Sequence, residues 1–259
     1  MMKSSNLHSR FLFVIVMICS FIGFAQQQDQ FKQANDLYTA KQYQEAIEKY
    51  LEITESGQHS AALYYNLANS YYKLNQIAPS IYYYEKALLL APNDADIQNN
   101  LQYAQNMTVD AIDVMPKTGF DKLTSNIVEK LTFSSWGVLA IVCMLVFVIA
   151  FLLYYFADYH TKKRVYFTIS MLFLLAAVAC YGVAYYQYGA EVKKRPAIIF
   201  SQEAAVMSEP NMGSTEVFLL HEGTKVNVLD TLGSWRKIKL ADGKIGWLPD
   251  SDLKEIKDF

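Results

Sequence analysis

Two long apolar runs interrupt an otherwise mixed pattern of hydrophobic and polar positions. Trp136 to Phe156 contains no charged residue, and at about 1.5 Å of rise per helical residue it reaches the roughly 30 Å hydrocarbon core of a bilayer. Val165 to Tyr186 repeats the pattern after the polar stretch Ala157, Asp158, Tyr159, His160, Thr161, Lys162, Lys163 and Arg164. The pattern predicts a hairpin of two spans, 136–156 and 165–188, joined by a loop over 157–164. A chain that crosses twice returns both flanks to one side, so residues before 136 and after 188 are expected in one compartment.

Upstream, apolar and small residues recur at helical spacing with an offset of 34 positions. Ala34-Asn35-Asp36-Leu37-Tyr38, followed by Tyr43, Ala46, Ile47 and Tyr50, returns as Ala68-Asn69-Ser70-Tyr71-Tyr72, followed by Ile77, Ser80, Ile81 and Tyr84. Small Ala34 and Ala68 let helices approach, Leu37 and Tyr71 fill the space beside them, and Ala46 and Ser80 are the matching small contacts on the second helix. A further helix from Asp96 to about Asn106 carries Ile97, Leu101 and Ala104 on one side and reads as a cap.

This pattern resembles the tetratricopeptide repeat, most closely over Ala61 to Pro92, with Tyr64, Leu67, Ala68, Tyr71, Ser80, Tyr84, Ala87 and Pro92 at its pattern positions. Residues 26–106 are expected to form two repeats and the capping helix. Such stacks generally need about three repeats to bury a continuous core, so a partner or self-association is expected to complete it. The resemblance implies a concave groove, lined by the first helix of each repeat, that holds an extended peptide or a partner helix. On this chain it maps to Phe31, Asn35, Tyr38, Tyr65, Asn69, Tyr72 and Lys73. Asparagine offers a donor and an acceptor to a peptide backbone, and tyrosine supplies rigid amphipathic area. The alternative is that these tyrosines cover an ordinary helix face. The family's clamp for acidic C-termini is matched at Asn35 and Asn69, but Phe31 and Tyr65 stand where its lysines belong, and capture of a C-terminal carboxylate is not expected.

After the second apolar run the pattern changes to short alternating segments. Ala204 to Pro210, Val217 to Leu220, Gly223 to Val228, Trp235 to Leu240 and Gly243 to Leu248 read as strands separated by glycine-bearing turns. With Gly223, Trp235, Gly243, Gly246 and Trp247 in sequence, residues 197–256 resemble the bacterial SH3-like domain. The chain is thus expected to be multidomain: α-helical tetratricopeptide repeats, a two-helix transmembrane hairpin and a small all-β SH3-like barrel. Trp235 and Trp247 are expected as core pieces, with ligand platforms as the alternative. The family's opening asparagine and arginine are replaced by Ala205 and Met207, which weighs against wall-peptide binding.

The start of the chain sets orientation. Lys3 and Arg10, the apolar run Phe11 to Phe24 and the small-x-small site Gly23-Phe24-Ala25 read as a signal peptide over 1–25; an uncleaved anchor gives the same topology. Ile18 before Cys19 argues against lipid attachment. Both soluble modules are therefore expected in the periplasm of a bacterial inner-membrane protein, with a short cytoplasmic loop. Lys162, Lys163 and Arg164 suit that loop, although Lys193, Lys194 and Arg195 nearly balance them. Residues 107–135 read as a linker with a juxtamembrane amphipathic segment carrying Phe120, Leu123, Ile127, Val128 and Leu131.

Composition narrows the chemistry. With 259 residues, 53% hydrophobic, and a formal net charge of −2, the chain has no electrostatic footprint for nucleic acid. Its three cysteines, Cys19, Cys143 and Cys180, leave the soluble modules without a disulfide framework. Ala140, Cys143 and Ala150 on the first span and Ala176, Cys180 and Ala184 on the second form small-residue stripes that let helices pack in lipid. They are expected to face each other, the alternative being another protein's span. Neither span holds a charge, which speaks against an ion pathway. His8, His59, His160 and His221 lack metal spacing, and neither a phosphate-cradling glycine loop nor a nucleophile elbow occurs. No metal, cofactor or catalytic site is expected, and His59 and His221 read as solvated polar surface.

The order of signal peptide, repeats, proline-bearing link, hairpin and barrel resembles the BatE-like proteins of the Bacteroides aerotolerance (Bat) operon. That resemblance implies a non-enzymatic membrane adaptor acting with von Willebrand factor A-type Bat membrane proteins and a MoxR-type ATPase in envelope or oxidative-stress tolerance. The expected function is therefore a scaffold whose repeat groove binds a protein partner. The alternative is a cell-wall-sensing receptor whose barrel binds peptidoglycan.

Overall fold

The computed structural model describes residues 29–112, 128 and 130–257. The expected signal peptide and most of the expected linker lie outside the described residues. The chain divides into two compact units, Met1–Asp113 with Arg195–Phe259, and Val114–Lys194.

In the first unit, helix α1 is described over residues 29–39, followed by α2 (Tyr43–Glu55), α3 (Ala61–Lys73), α4 (Ile77–Leu90) and α5 (Ala95–Gln105). The turns within the two helical pairs are built alike. Lys41 and Asn75, 34 positions apart, both take positive φ, and the next amide donates back in each case, Gln42 to the Leu37 carbonyl and Gln76 to that of Tyr71. This left-handed closure satisfies carbonyls at the helix end. Ser60 caps α3 by accepting from the Leu63 amide, and Asp94 caps α5 by accepting from Asp96 and Ile97. Ala91 caps α4, and Pro92 follows where the helix can no longer continue.

Ala34, Ala46, Ile47, Tyr50, Leu63 and Leu67 pack one layer of core. The next layer, around Tyr64, Ala68, Ile81, Tyr84, Ile97 and Leu101, also contains Ile198 and Ile256 from the far end of the chain. Those two come from the barrel. Its strands are β1 (Pro196–Ile199), β2 (Glu203–Met207), β3 (Glu216–His221), β4 (Lys225–Leu232), β5 (Trp235–Lys239), β6 (Ile245–Pro249) and β7 (Leu253–Glu255), with a 3₁₀ turn at Asp250–Asp252. They form one antiparallel sheet in the order β3-β2-β6-β5-β4-β1-β7. Ala197, Ile199, Val206, Val228, Ile238 and Leu248 fill its interior. Gly246 belongs there because a Cβ would collide with Val206 Cγ1 and come within 3.0 Å of the Met207 carbonyl.

Repeats and barrel thus share a core, so the chain's own barrel covers part of the stack that a partner or self-association was expected to complete. Ile198 and Ile256 are essentially inaccessible, and burying two isoleucines is worth about 2–3 kcal/mol each. Phe200 meets Tyr82 edge-on, ring centroids 5.6 Å apart. Lys225 donates to Glu85 at 2.7 Å. The β3–β4 turn comes so close to α4 that a Cβ on Gly223, at φ +85°, would lie 3.0 Å from Ile81 Cδ1 and 2.8 Å from Thr108 Cγ2.

A polar clasp completes this interface. Asp110 accepts from the His221 amide at 2.7 Å, from its ring Nδ1 at 2.7 Å and from the Thr224 hydroxyl at 2.6 Å. Burial alone would raise the Asp110 pKa, but the Thr224 hydroxyl, the His221 amide and the His221 ring together hold it below its ordinary value. His221 is therefore not solvated surface, because three-dimensional proximity supplies the carboxylate that its sequence neighbours lack. His59 likewise has a partner, its Nδ1 lying 2.5 Å from the Tyr64 hydroxyl.

The second unit is a helical hairpin of α6 (Phe133–Phe156) and α7 (His160–Lys193). Both are long and apolar enough to cross a membrane. Phe133 meets Tyr188, and Tyr154 meets Phe167, at centroid distances of 5.7 and 5.5 Å, so the pair is antiparallel. Leu145, Leu172 and Val178 are among many large apolar side chains left exposed. The connection is only Ala157 to Tyr159. Lys162, Lys163 and Arg164, expected in a loop over 157–164, instead occupy the first turns of α7, where lysine and arginine are good helix formers.

Ala140, Cys143, Ala150 and Cys180 are buried between the helices, and the two cysteine side chains touch. Ala176 and Ala184 are only half-buried; Ala177 and Ser170 occupy the seam instead. A helix turns about 100° per residue, so a shift of one position moves a side chain off the contact line. Near the other end, Gln187 donates to the Leu131 carbonyl at 3.0 Å and to that of Val128, and Trp136 Nε1 donates to Val128 at 3.1 Å.

Candidate protein-binding groove

The repeated asparagines are fixed by a motif that is itself repeated. Asn35 Oδ1 accepts from the Tyr50 hydroxyl at 2.6 Å and from Asn66 Nδ2 at 2.9 Å. Asn69 Oδ1 accepts from the Tyr84 hydroxyl at 2.5 Å and from Asn100 Nδ2 at 3.2 Å. Each member of the second set lies 34 positions after its counterpart in the first. The carbonyl side of each asparagine therefore binds its own stack, and each tyrosine hydroxyl in this motif is a structural donor. Burial pushes the Tyr50 and Tyr84 phenols well above the ordinary tyrosine pKa, so both remain protonated donors.

Between α1, α3 and α5 lies a cavity of about 210 Å³ lined by Tyr38, Tyr65, Asn69, Tyr72, Lys73, Tyr84, Asn100 and Tyr103. Of the residues anticipated for a groove, Tyr38, Tyr65, Asn69, Tyr72 and Lys73 come together here. Phe31 and Asn35 do not line it: Phe31 packs on Tyr50 with centroids 6.0 Å apart, and Asn35 is engaged as described. Tyr84, Asn100 and Tyr103 were missed. The 34-residue offset could have found them, since Asn100 follows Asn66, and Tyr103 follows Asn69, by one repeat length.

The lining has a polarity. Tyr65 accepts from Asn100 at 2.7 Å, which leaves its own hydroxyl proton to donate. Burial first, then the neighbouring Tyr43 and Tyr65 phenols, raises the Tyr38 pKa. Lys73 is exposed, and none of the eight lining residues is acidic.

The barrel offers a second surface. Trp235 and Trp247 are half-exposed and lie outside the buried interior, a correction to their expected place in the core. Strand alternation accounts for it: Ile238 and Leu248 take the inward positions, and the tryptophans the outward ones. Trp247 stands opposite Met207 on β2 and Lys237 on β5, whose Nζ lies 5.7 Å from its ring centre. Among the described residues, no group of three or more His, Cys, Asp or Glu side chains could hold a metal ion.

Two family models match the chain, the tetratricopeptide repeat over residues 61–94 and the bacterial SH3 domain over residues 204–254. No curated protein matches it. The chain therefore carries a tetratricopeptide repeat and a bacterial SH3 domain beside two apolar helices, modules that point to protein–protein interaction and to peptidoglycan binding.

Proposed function

We propose that this protein is a non-enzymatic adaptor of a bacterial inner membrane, whose repeat groove recruits a protein partner on the periplasmic side. The observation that carries this reading is the division of labour between the faces of the repeats. The barrel packs on α4 and shares its core, while the cavity among α1, α3 and α5 stays open with tyrosine and asparagine donors in place. Tyrosine gives contact area at low entropic cost. The order of parts and the resemblance to BatE-like proteins support a place in an envelope or aerotolerance complex with von Willebrand factor A-type membrane partners.

The shared core of repeats and barrel supports the topology, because two modules that bury side chains in one another must lie in one compartment. A hairpin crossing twice satisfies that requirement. The test is affinity capture of the detergent-solubilised full chain, comparing the native protein with the Tyr72→Ala, Lys73→Glu variant. These side chains line the groove without belonging to the asparagine–tyrosine motif. Loss of a partner that the native chain retains is expected; the same partners on both would contradict the reading.

The outward Trp247, Met207 and Lys237 favour a second reading, a wall-sensing receptor whose barrel binds peptidoglycan. Co-sedimentation of the full chain with purified wall, lost on Trp247→Ala while partner capture persists, would support that role.

A further inference from the structure

The groove's lining also says what kind of partner it fits, an inference that rests on the adaptor reading. We propose that the cavity beside Lys73 receives an acidic side chain, Asp or Glu, from an extended segment of the partner protein. Three lining groups, Asn69, Tyr65 and Lys73, present donors, and the remaining phenols can donate as well as accept. Asn69 Oδ1 already accepts from Tyr84 and Asn100, which turns the Asn69 amide N–H₂ toward other acceptors. Tyr65 accepts from Asn100 and has a proton to give. Tyr38, Tyr72 and Tyr103 contribute three more phenols. Lys73 adds the one positive charge, and it makes no ion pair among the described residues.

A carboxylate is an acceptor with room for about four hydrogen bonds, so it matches the Asn69, Tyr65 and Lys73 donors, whereas an ammonium or guanidinium would meet the like charge of Lys73. The cavity volume of about 210 Å³ holds an acidic side chain with accompanying water. This arrangement differs from a clamp built on lysines at positions 31 and 65, which here are Phe31 and Tyr65. It places the cation one residue past Tyr72, at the end of α3. Tyr103, 62% exposed at the rim, would close over the bound segment.

The test selects a phage-displayed library of random dodecapeptides on the full chain in lipid nanodiscs, native and Lys73→Glu. Peptides that lose binding to the Tyr72→Ala variant are taken as groove ligands. Expected is a recurrent Asp or Glu whose exchange for Asn or Gln weakens binding about tenfold, the scale of a lost charged hydrogen bond. On Lys73→Glu, Lys or Arg should be selected in its place, and Tyr103→Phe should weaken acidic peptides more than their amide versions. Groove ligands without an acidic residue, or the same preference on Lys73→Glu, would overturn the inference and leave the adaptor reading standing. Recovery of no Tyr72-dependent ligand would overturn both. Lys73 is exposed, so its replacement leaves the core intact, and circular dichroism confirms folding of each variant.

Discussion

Asp110 and His221 are 111 positions apart in the chain, with both apolar helices between them, yet the Asp110 carboxylate accepts both the ring and the backbone N–H of His221 at 2.7 Å. The residue that ends the repeat module thus grips the turn that opens the second half of the barrel. Both helices long and apolar enough to cross a membrane lie between the two residues in sequence.

That clasp carries a pH signature. The Asp110 pKa is lowered on folding, so its contribution is present above the ordinary carboxylate range and is lost as pH falls through the depressed value. The thermal midpoint of the full chain in detergent is expected to drop below about pH 4, and Asp110→Asn should flatten that drop. At neutral pH the same variant is expected to cost about 2 kcal/mol, the scale of hydrogen bonds to a charged group. An unchanged midpoint and pH profile would show that the contact contributes nothing.

Gly223→Ala tests the hydrophobic side of the same interface. The new methyl would press on Thr108 Cγ2 and Ile81 Cδ1, and φ of +85° strains any Cβ. A loss of about 1–3 kcal/mol is expected from overpacking and strain, together with faster hydrogen exchange in α4. Protection in α4 at the native level would mean that turn and helix do not touch.

Asn69→Ala should behave as a stability variant as well as a binding one. It strands the buried Tyr84 hydroxyl and leaves Asn100 only its bond to Tyr65, a cost of about 1–3 kcal/mol for a buried group left unpaired, and Asn35→Ala should act likewise through the buried Tyr50 hydroxyl. Chemical denaturation of each variant measures this. Tyr103→Ala, at an exposed position, should leave stability near native.

Much of this could be read in the chain because it is periodic. The 34-residue offset displays the repeat helices, and the uninterrupted apolar runs display the hairpin, since these follow from local pattern alone. What escaped reading is non-local. β1 and β7 are short and flank the obvious strands; they gain their place by pairing with each other and by sending Ile198 and Ile256 into the repeats. Asp110 looked like linker because its three donors arrive from beyond the hairpin. Asn35 and Asn69 read in the sequence as groups that meet a peptide backbone, and only the fold shows that Tyr50 and Tyr84, one helix away, occupy their side-chain carbonyls. Residue type alone places Trp235 and Trp247 in the core, and strand alternation turns them outward.

The hairpin seam predicts a crosslink. Cys143 and Cys180 are both buried and in contact, so with Cys19 replaced by Ser a copper-phenanthroline oxidant in membranes should join them within one chain. A protease cut engineered in the connection would then fail to separate the helices without reductant. Disulfide-linked dimers in place of the internal bond would instead put the cysteines on an outer face.

Side-selective cysteine labelling tests most directly whether repeats and barrel share one side of a membrane. With Cys19, Cys143 and Cys180 replaced, single cysteines at Lys73 in the groove, Lys239 on the barrel and Lys162 at the start of α7 are exposed to an impermeant maleimide on intact spheroplasts. The positions at Lys73 and Lys239 should label together, and that at Lys162 only after permeabilisation. Labelling of the groove and barrel positions from opposite sides would contradict the account.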